Sequence, residues 1–356
     1  MKNALLLAAL ASGSLLLARE PAPAAPAPAL PGAAAAGAPN PLAPYSATVE
    51  RILQAALEEG RAYQLLSELC AEAPHRLSGS PGAARAVEWV HAQMLAAGFE
   101  NVRLEPCLVP HWERGSPERL TVRLPAADGA ADVELPILAL GGSVATPEGG
   151  LRAGVIEVES FEELRARAAE AAGKIVFFNR PMDQREFDTF RAYGGSVSQR
   201  SRGAVEAARA GGVAALVRSM CTRIDDFPHT GTMGYEEGLE RVPSAAVSTR
   251  GAEQLSAWIA AGADPQLTLE LACVQHEDVE SFNVVGELVG SELPDEVVVV
   301  GGHLDCWDVG QGAHDDGAGC MQAFEVVRLL KVNPDIKSLA IEAVSRTIRL
   351  IWSFSQ

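Results

Sequence analysis

The sequence predicts an α/β protein: a mostly parallel-sheet domain interrupted by a smaller inserted domain. Three patterns carry this expectation. Val297–Val300 is a run of four valines, which reads as a strand buried on both faces. A glycine-rich turn, a periodic helix over Gly319–Lys331 and a final apolar run at Thr347–Trp352 follow it, a strand–helix–strand order that implies parallel pairing. Earlier, GKIVFF at Gly173–Phe178 and the run Val213–Val217 flank a helical stretch at Ser201–Ala210, a second such unit. Loop-rich stretches separate the two patterns, so they are assigned to different sheets.

The chain has 356 residues, a hydrophobic fraction of 48% and a formal net charge of −17. That length fits two domains and that composition supplies a core. The charge argues against nucleic acid and anionic membrane surfaces as partners. Lys2 followed by an apolar run to Ala18 reads as an export signal, too short for a comfortable membrane span. Residues 19–44, almost wholly Pro, Ala and Gly, read as an extended linker. The six cysteines contain no C-x-x-C pair, so a Cys₄ zinc site is not expected, and any disulfide pairing stays open.

From Ala47 to Leu69, apolar residues recur at spacings of three and four, predicting helix with a weak point at Gly60. Arg76–Gly82 (RLSGSPG) is a turn with Ser80 as N-cap and Pro81 at the first helical position. Helix is predicted for Ala83–Ala97 up to Gly98, then a strand at Val102–Leu104. Leu120–Val122 and Val133–Ile137 are candidate strands. Val242–Ser248 leads into a helix over Gly251–Ala260, and FNVVGEL within Ser281–Val289 is a strand. Helix Gly319–Lys331 presents Phe324, Val327 and Leu330 as one stripe and stops at Asn333–Pro334.

The chemistry concentrates in Val297–Gly319, VVVVGGHLDCWDVGQGAHDDGAG. His303 sits at the carboxyl end of the valine strand, where open α/β sheets place their ligands. Asp305 is near enough in sequence to hydrogen-bond one nitrogen of His303, the partner that a metal-bound histidine needs. Asp315 and Asp316 follow in a glycine-rich loop that opens a helix. One histidine with two or three carboxylates suits zinc. Cys306 is read as a bystander and His229 as a loop histidine without a ligand role. A serine hydrolase finds no G-x-S-x-G elbow.

GGHLDCWDVGQGAHDDGAG resembles the metal-binding segment of the co-catalytic zinc exopeptidases of the M28 family, and within it the carboxypeptidase Q-like branch. RLSGSPG is similar to the segment before the first long helix of that peptidase domain. GKIVFF, ARAGGVAALV, HTG and VPSAAVST resemble a protease-associated domain inserted into the peptidase. The resemblance implies peptidase parts at 45–137 and 275–356 and a protease-associated insert at 138–274. It implies two Zn²⁺ ions, with His303 binding one, Asp315 bridging both, Asp305 orienting His303 and Asp316 holding the loop. It implies a secreted exopeptidase or dipeptidase acting on small peptides, with a homodimer as the one protein partner to expect. RTIRLI at Arg346–Ile351 resembles the next family strand, but WSFSQ follows where the family has a Glu-Glu pair supplying the general base and a ligand. A C-terminally truncated, inactive chain is therefore expected, and a non-catalytic fragment binding through the protease-associated domain stands as the alternative.

Overall fold

The structure, a computed structural model, describes residues 43, 46–124, 132–333 and 346–354. The expected export signal lies outside the described residues, as does the linker apart from Ala43. The chain divides into Met1–Ser46 and Ala47–Gln356, and the architecture below is that of the second unit.

The first sheet has four strands in the order Glu100–Val109, Val279–Leu288, Arg346–Ser353, Leu293–His303. The last two run parallel, with Val300 opposite Leu350 and His303 opposite Ser353. The other two neighbouring pairs are antiparallel. This sheet is mixed, and the expected parallel character holds only for the pair that carries His303. Parallel neighbours need a crossover. Between Leu293–His303 and Arg346–Ser353, the helix Gly319–Val332 lies on that connection.

The valine strand corrects a second expectation. Val297, Val298 and Val299 are 40%, 43% and 58% exposed, so the strand is not buried on both faces. Among the described residues it lies at the edge of its sheet, paired only with Arg346–Ser353. A run of apolar side chains records affinity for a core, but not how many neighbours the strand has.

Helices Ser46–Glu59 and Ala62–Glu72 break at Gly60, as the spacing predicts. Helix Pro81–Ala96 starts where Ser80 Oγ accepts from the Ala83 amide at 3.2 Å. Leu69, Val90, Met94, Phe324 and Val327 from the helices pack with Val284, Ile348, Leu350 and Trp352 of the sheet into one core. Each fully buried side chain of this size contributes about 1.5–3 kcal/mol.

The second sheet has eight strands, in the order Val133–Leu135, Glu118–Arg123, Gln266–Leu271, Leu151–Val158, Ile175–Phe178, Ala214–Arg218, Ser244–Val247, Ile137–Ala139. The four from Leu151–Val158 to Ser244–Val247 are parallel, with helix Thr189–Arg209 as one crossover. Ile175 and Phe177 point into one core, Val176 and Phe178 into another, so GKIVFF is covered on both faces. GKIVFF and the valine strand thus lie in separate sheets. Glu118–Arg123 and Val133–Leu135 join this second sheet, which therefore begins earlier in the chain than Leu138.

The chain passes between the sheets twice. The two crossings pair as a short antiparallel ribbon, with Glu113 opposite Val274 and Trp112 opposite Gln275.

Candidate metal centre

Strand Leu293–His303 ends in two glycines because nothing larger fits. A Cβ on Gly301 would meet the Ile351 carbonyl at 2.0 Å, and one on Gly302 the Asp316 carboxylate at 2.5 Å. His303 follows, its amide donating to Asp316 Oδ2 at 3.1 Å. Its Nδ1 lies 3.2 Å from Asp305 Oδ1 and its Nε2 lies 3.0 Å from Asp315 Oδ1. Asp305 is buried, and Ser78 Oγ donates to its other oxygen at 3.4 Å. The Asp315 side chain is 83% exposed and that of His303 32%.

A buried carboxylate beside Nδ1 favours the tautomer with the proton there and leaves the Nε2 lone pair free. Nε2 then faces the exposed Asp315 carboxylate. All four residues picked out from the sequence come together: Asp305 behind the imidazole, Asp315 in front and Asp316 on the backbone. One nitrogen and one carboxylate oxygen form a donor pair that suits zinc. Among the described residues, no third His, Cys, Asp or Glu side chain converges on this pair. Cys306 is buried, its sulfur accepts from the Arg76 amide at 3.4 Å, and burial pushes its thiol pKa up. His229 does not line the pocket described below; its amide donates to Ser219 Oγ, and burial lowers the pKa of its ring. All six cysteines are free.

Two arginines that sequence reasoning missed hold the loop. Arg76 is fully buried. Its guanidinium donates to the carbonyls of Leu304 at 2.8 Å, Ala73 at 3.2 Å, Gln311 at 2.8 Å and Gly312 at 3.0 Å. It thereby ties the start of RLSGSPG to both ends of the loop between His303 and Asp315. Arg114 grips Asp308 with both prongs, at 2.8 and 2.7 Å, and also bonds the Ala139 carbonyl. Burial opposes the charge on Arg114, but the Asp308 carboxylate outweighs it and raises the pKa. Asp308 is thus occupied structurally. Arg114 leaves the crossing, so this pair binds the metal loop to the second sheet.

A cavity of about 290 Å³ opens in front of His303. The first sheet supplies His303, the following loops Asp305, Trp307 and Asp315, the second-sheet side Gly141, Thr232 and Met233, and the ribbon Trp112 and Gln275. Trp307 lies flush on Gly141, where a Cβ would meet its ring at 2.2 Å. The Trp112 indole donates to the Ser143 carbonyl at 2.9 Å. The cavity therefore has walls from both sheets.

The sequence profile described as Peptidase family M28 matches residues 283–353. Carboxypeptidase Q of Xenopus laevis is 38% identical over 316 residues, covering 88% of this chain and 63% of that protein. Carboxypeptidase Q of Mus musculus is 37% identical over the same shares. The chain thus spans less than two thirds of the length of these relatives. A solved Peptidase M28 precursor from Shewanella amazonensis SB2B superposes with a TM-score of 0.77 at 34% identity, covering 86% of this chain and 66% of that one. A zinc aminopeptidase from Bacillus subtilis shares the fold at 20% identity, with a TM-score of 0.54 over 82% and 60% of the two chains. The His303–Asp315 loop thus lies inside the segment that matches peptidase family M28, and the chain is similar over most of its length to members of that family.

Proposed function

We propose that this chain carries part of the site of a zinc-dependent exopeptidase of the carboxypeptidase Q kind, acting on small peptides or dipeptides. The observation that carries this reading is His303, backed by Asp305 on one nitrogen and faced by Asp315 on the other, at the mouth of the cavity. His303 Nε2 and the Asp315 carboxylate would hold zinc, with Asp315 shared between two ions. When bound, such an ion pair lowers the pKa of a water and polarises the scissile carbonyl. Asp305 fixes the ring, and Arg76 and Arg114 fix the loop. The cavity lies at the small end of the range for ligand sites, in keeping with a dipeptide. We read the second sheet as that of the protease-associated insert, expected at residues 138–274, with the strands Glu118–Arg123 and Val133–Leu135 added to it from the preceding segment.

The same geometry favours low activity in the chain itself. Only two donors converge among the described residues. Asp305, the carboxylate behind the ring, faces Nδ1 and not the cavity side of Nε2. Among the described residues no carboxylate besides Asp305 and Asp315 lines the cavity, and a positioned general base contributes typically 10²–10⁴-fold in rate. A non-catalytic role as a binding module is the second reading, and it rests on that incomplete set.

The test is zinc uptake and hydrolysis of a dipeptide panel by the purified chain, with chelator and zinc re-addition. Negligible turnover is expected, with a weak zinc equivalent that is lost in His303→Ala when compared against a His276→Ala background. A zinc stoichiometry that His303→Ala leaves unchanged in that background would sink the metal assignment. Brisk chelator-sensitive turnover would sink the low-activity reading. Export rests on the pattern Lys2–Ala18, and a protein recovered from its host in the cytosol with Met1 intact would refute it.

A further inference from the structure

The ribbon between the sheets has a second face. Side chains alternate along a strand, so Trp112 and Gln275 turn to the cavity while His111 and Glu113 turn away from it. Antiparallel pairing sets His276 across from His111, and the His276 amide donates to the His111 carbonyl at 2.9 Å. The two imidazoles stack with centroids 4.4 Å apart and planes at 26°. Glu113 reaches both: Oε1 lies 3.3 Å from His111 Nε2, and Oε2 lies 3.4 Å from His276 Nε2. One ligating atom from each of the three falls within 4.8 Å of the others, and among the described residues no other trio does so.

We propose that His111, Glu113 and His276 form a site for a divalent transition metal, zinc before others, separate from the His303 loop. Zinc bonds imidazole nitrogen and carboxylate oxygen at about 2.0–2.2 Å, and tetrahedral angles then hold ligand atoms about 3.4 Å apart. The two nitrogen–oxygen separations, one to each oxygen of the Glu113 carboxylate, are close to that spacing, so a small turn of the carboxylate would present one oxygen to an ion shared with both rings. Two imidazoles and one carboxylate favour zinc over magnesium or calcium, which take all-oxygen shells. Three protein ligands leave a fourth position for water. The side chains are 20%, 59% and 38% exposed for His111, Glu113 and His276, so an ion has an open approach. Because His111 and Glu113 lie on the outgoing crossing and His276 on the returning one, a bound ion would pin the two crossings together directly behind Trp112 and Gln275.

The test isolates this site by removing the other. An untagged 356-residue chain carrying His303→Ala, with Asp315→Asn as a second background, is titrated with zinc chloride alone in metal-free buffer. Bound metal is counted after dialysis, and the absorption spectrum is read with cobalt(II) as a probe. One zinc per chain, a tetrahedral cobalt spectrum and a zinc-dependent rise in melting temperature are expected. Adding His276→Ala should weaken binding at least about 100-fold and Glu113→Gln at least about tenfold, since even second-shell partners are worth 10–100-fold. Circular dichroism confirms that the variants fold. Absence of saturable zinc uptake in both backgrounds, or uptake unchanged by His276→Ala, would overturn the proposal and leave the trio as a carboxylate shared by two imidazole N–H groups.

Discussion

Replacing Arg76 by alanine removes the clamp on the metal loop, and the cost follows from its four acceptors. The Gln311 carbonyl also accepts from Cys70 Sγ at 3.5 Å, and that of Gly312 from the Gly317 amide at 3.0 Å, so these two keep a donor. The carbonyls of Leu304 and Ala73 lose theirs in a site where Arg76 is 0% exposed. Each buried acceptor left unsatisfied costs about 1–3 kcal/mol. The cavity left by the side chain adds to this, and recovery of the solvation of a buried guanidinium subtracts from it. The expected loss is about 3–5 kcal/mol, at the upper end of single-substitution effects. Urea unfolding followed by far-ultraviolet circular dichroism measures it. Arg76→Lys keeps the charge without the fork and should fall between wild type and alanine. Zinc affinity at His303 should drop alongside stability, because Leu304 is its immediate neighbour. A loss below about 1 kcal/mol, with zinc binding intact, would show that the loop holds its shape without Arg76, and would refute the clamp.

Asp308→Ala strands the buried Arg114 with Glu118 as its remaining carboxylate at 3.4 Å, and should cost about 2–3 kcal/mol in the same urea assay. Gly141→Ala drives a methyl group into the Trp307 ring, so a loss of about 1–3 kcal/mol and a shifted tryptophan emission are expected; unchanged emission would place the ring elsewhere. Glu287 governs part of the acid limb. Burial alone would raise its pKa, but Asn101 at 2.7 Å and Arg349 at 2.6 Å override burial and lower it. A depressed carboxyl contributes stability that is present above its unfolded value of about 4.3 and is lost as pH falls through the folded value. Glu287→Gln should therefore flatten stability against pH below about 4.3, and an unchanged acid slope would count against the assignment.

Local features were legible in the sequence. Gly60 breaks the first helical stretch, Ser80 caps the next helix, and the loop holding His303, Asp305, Asp315 and Asp316 is contiguous, so these four could be picked out together from the sequence. The edge position of Val297–Val299 was not legible, because hydrophobicity does not count neighbours. Arg76 and Arg114 escaped notice because their partners lie far along the chain, and those of Arg76 are backbone carbonyls without a side-chain signature. Strand Gln266–Leu271 (QLTLEL) alternates buried and half-buried residues, a period-two signal that was there to be used. Helix Thr189–Arg209 begins earlier than the pattern at Ser201 suggests. Its first half is polar and carries Gly194 and Gly195, and the usable clue was Asp188, whose carboxylate accepts from the Phe190 and Arg191 amides as an N-cap. The trio on the ribbon joins His111 and Glu113, a clear H-x-E step, to a histidine that only tertiary pairing brings near.

The ribbon also settles how the chain is strung. The second sheet hangs on a closed loop whose ends touch: His276 bonds to His111, and Gly115 lies so close to Ala272 that a Cβ would meet its carbonyl at 2.2 Å. The entropy of closing a loop grows only with the logarithm of its length. The first sheet is therefore nearly indifferent to how much chain lies between Glu113 and Val274, provided the two ends leave side by side. That makes the ribbon a splice point. A short glycine linker, or an unrelated domain with adjacent termini, can replace the whole excursion without changing the register of Glu100–Val109 against Val279–Leu288.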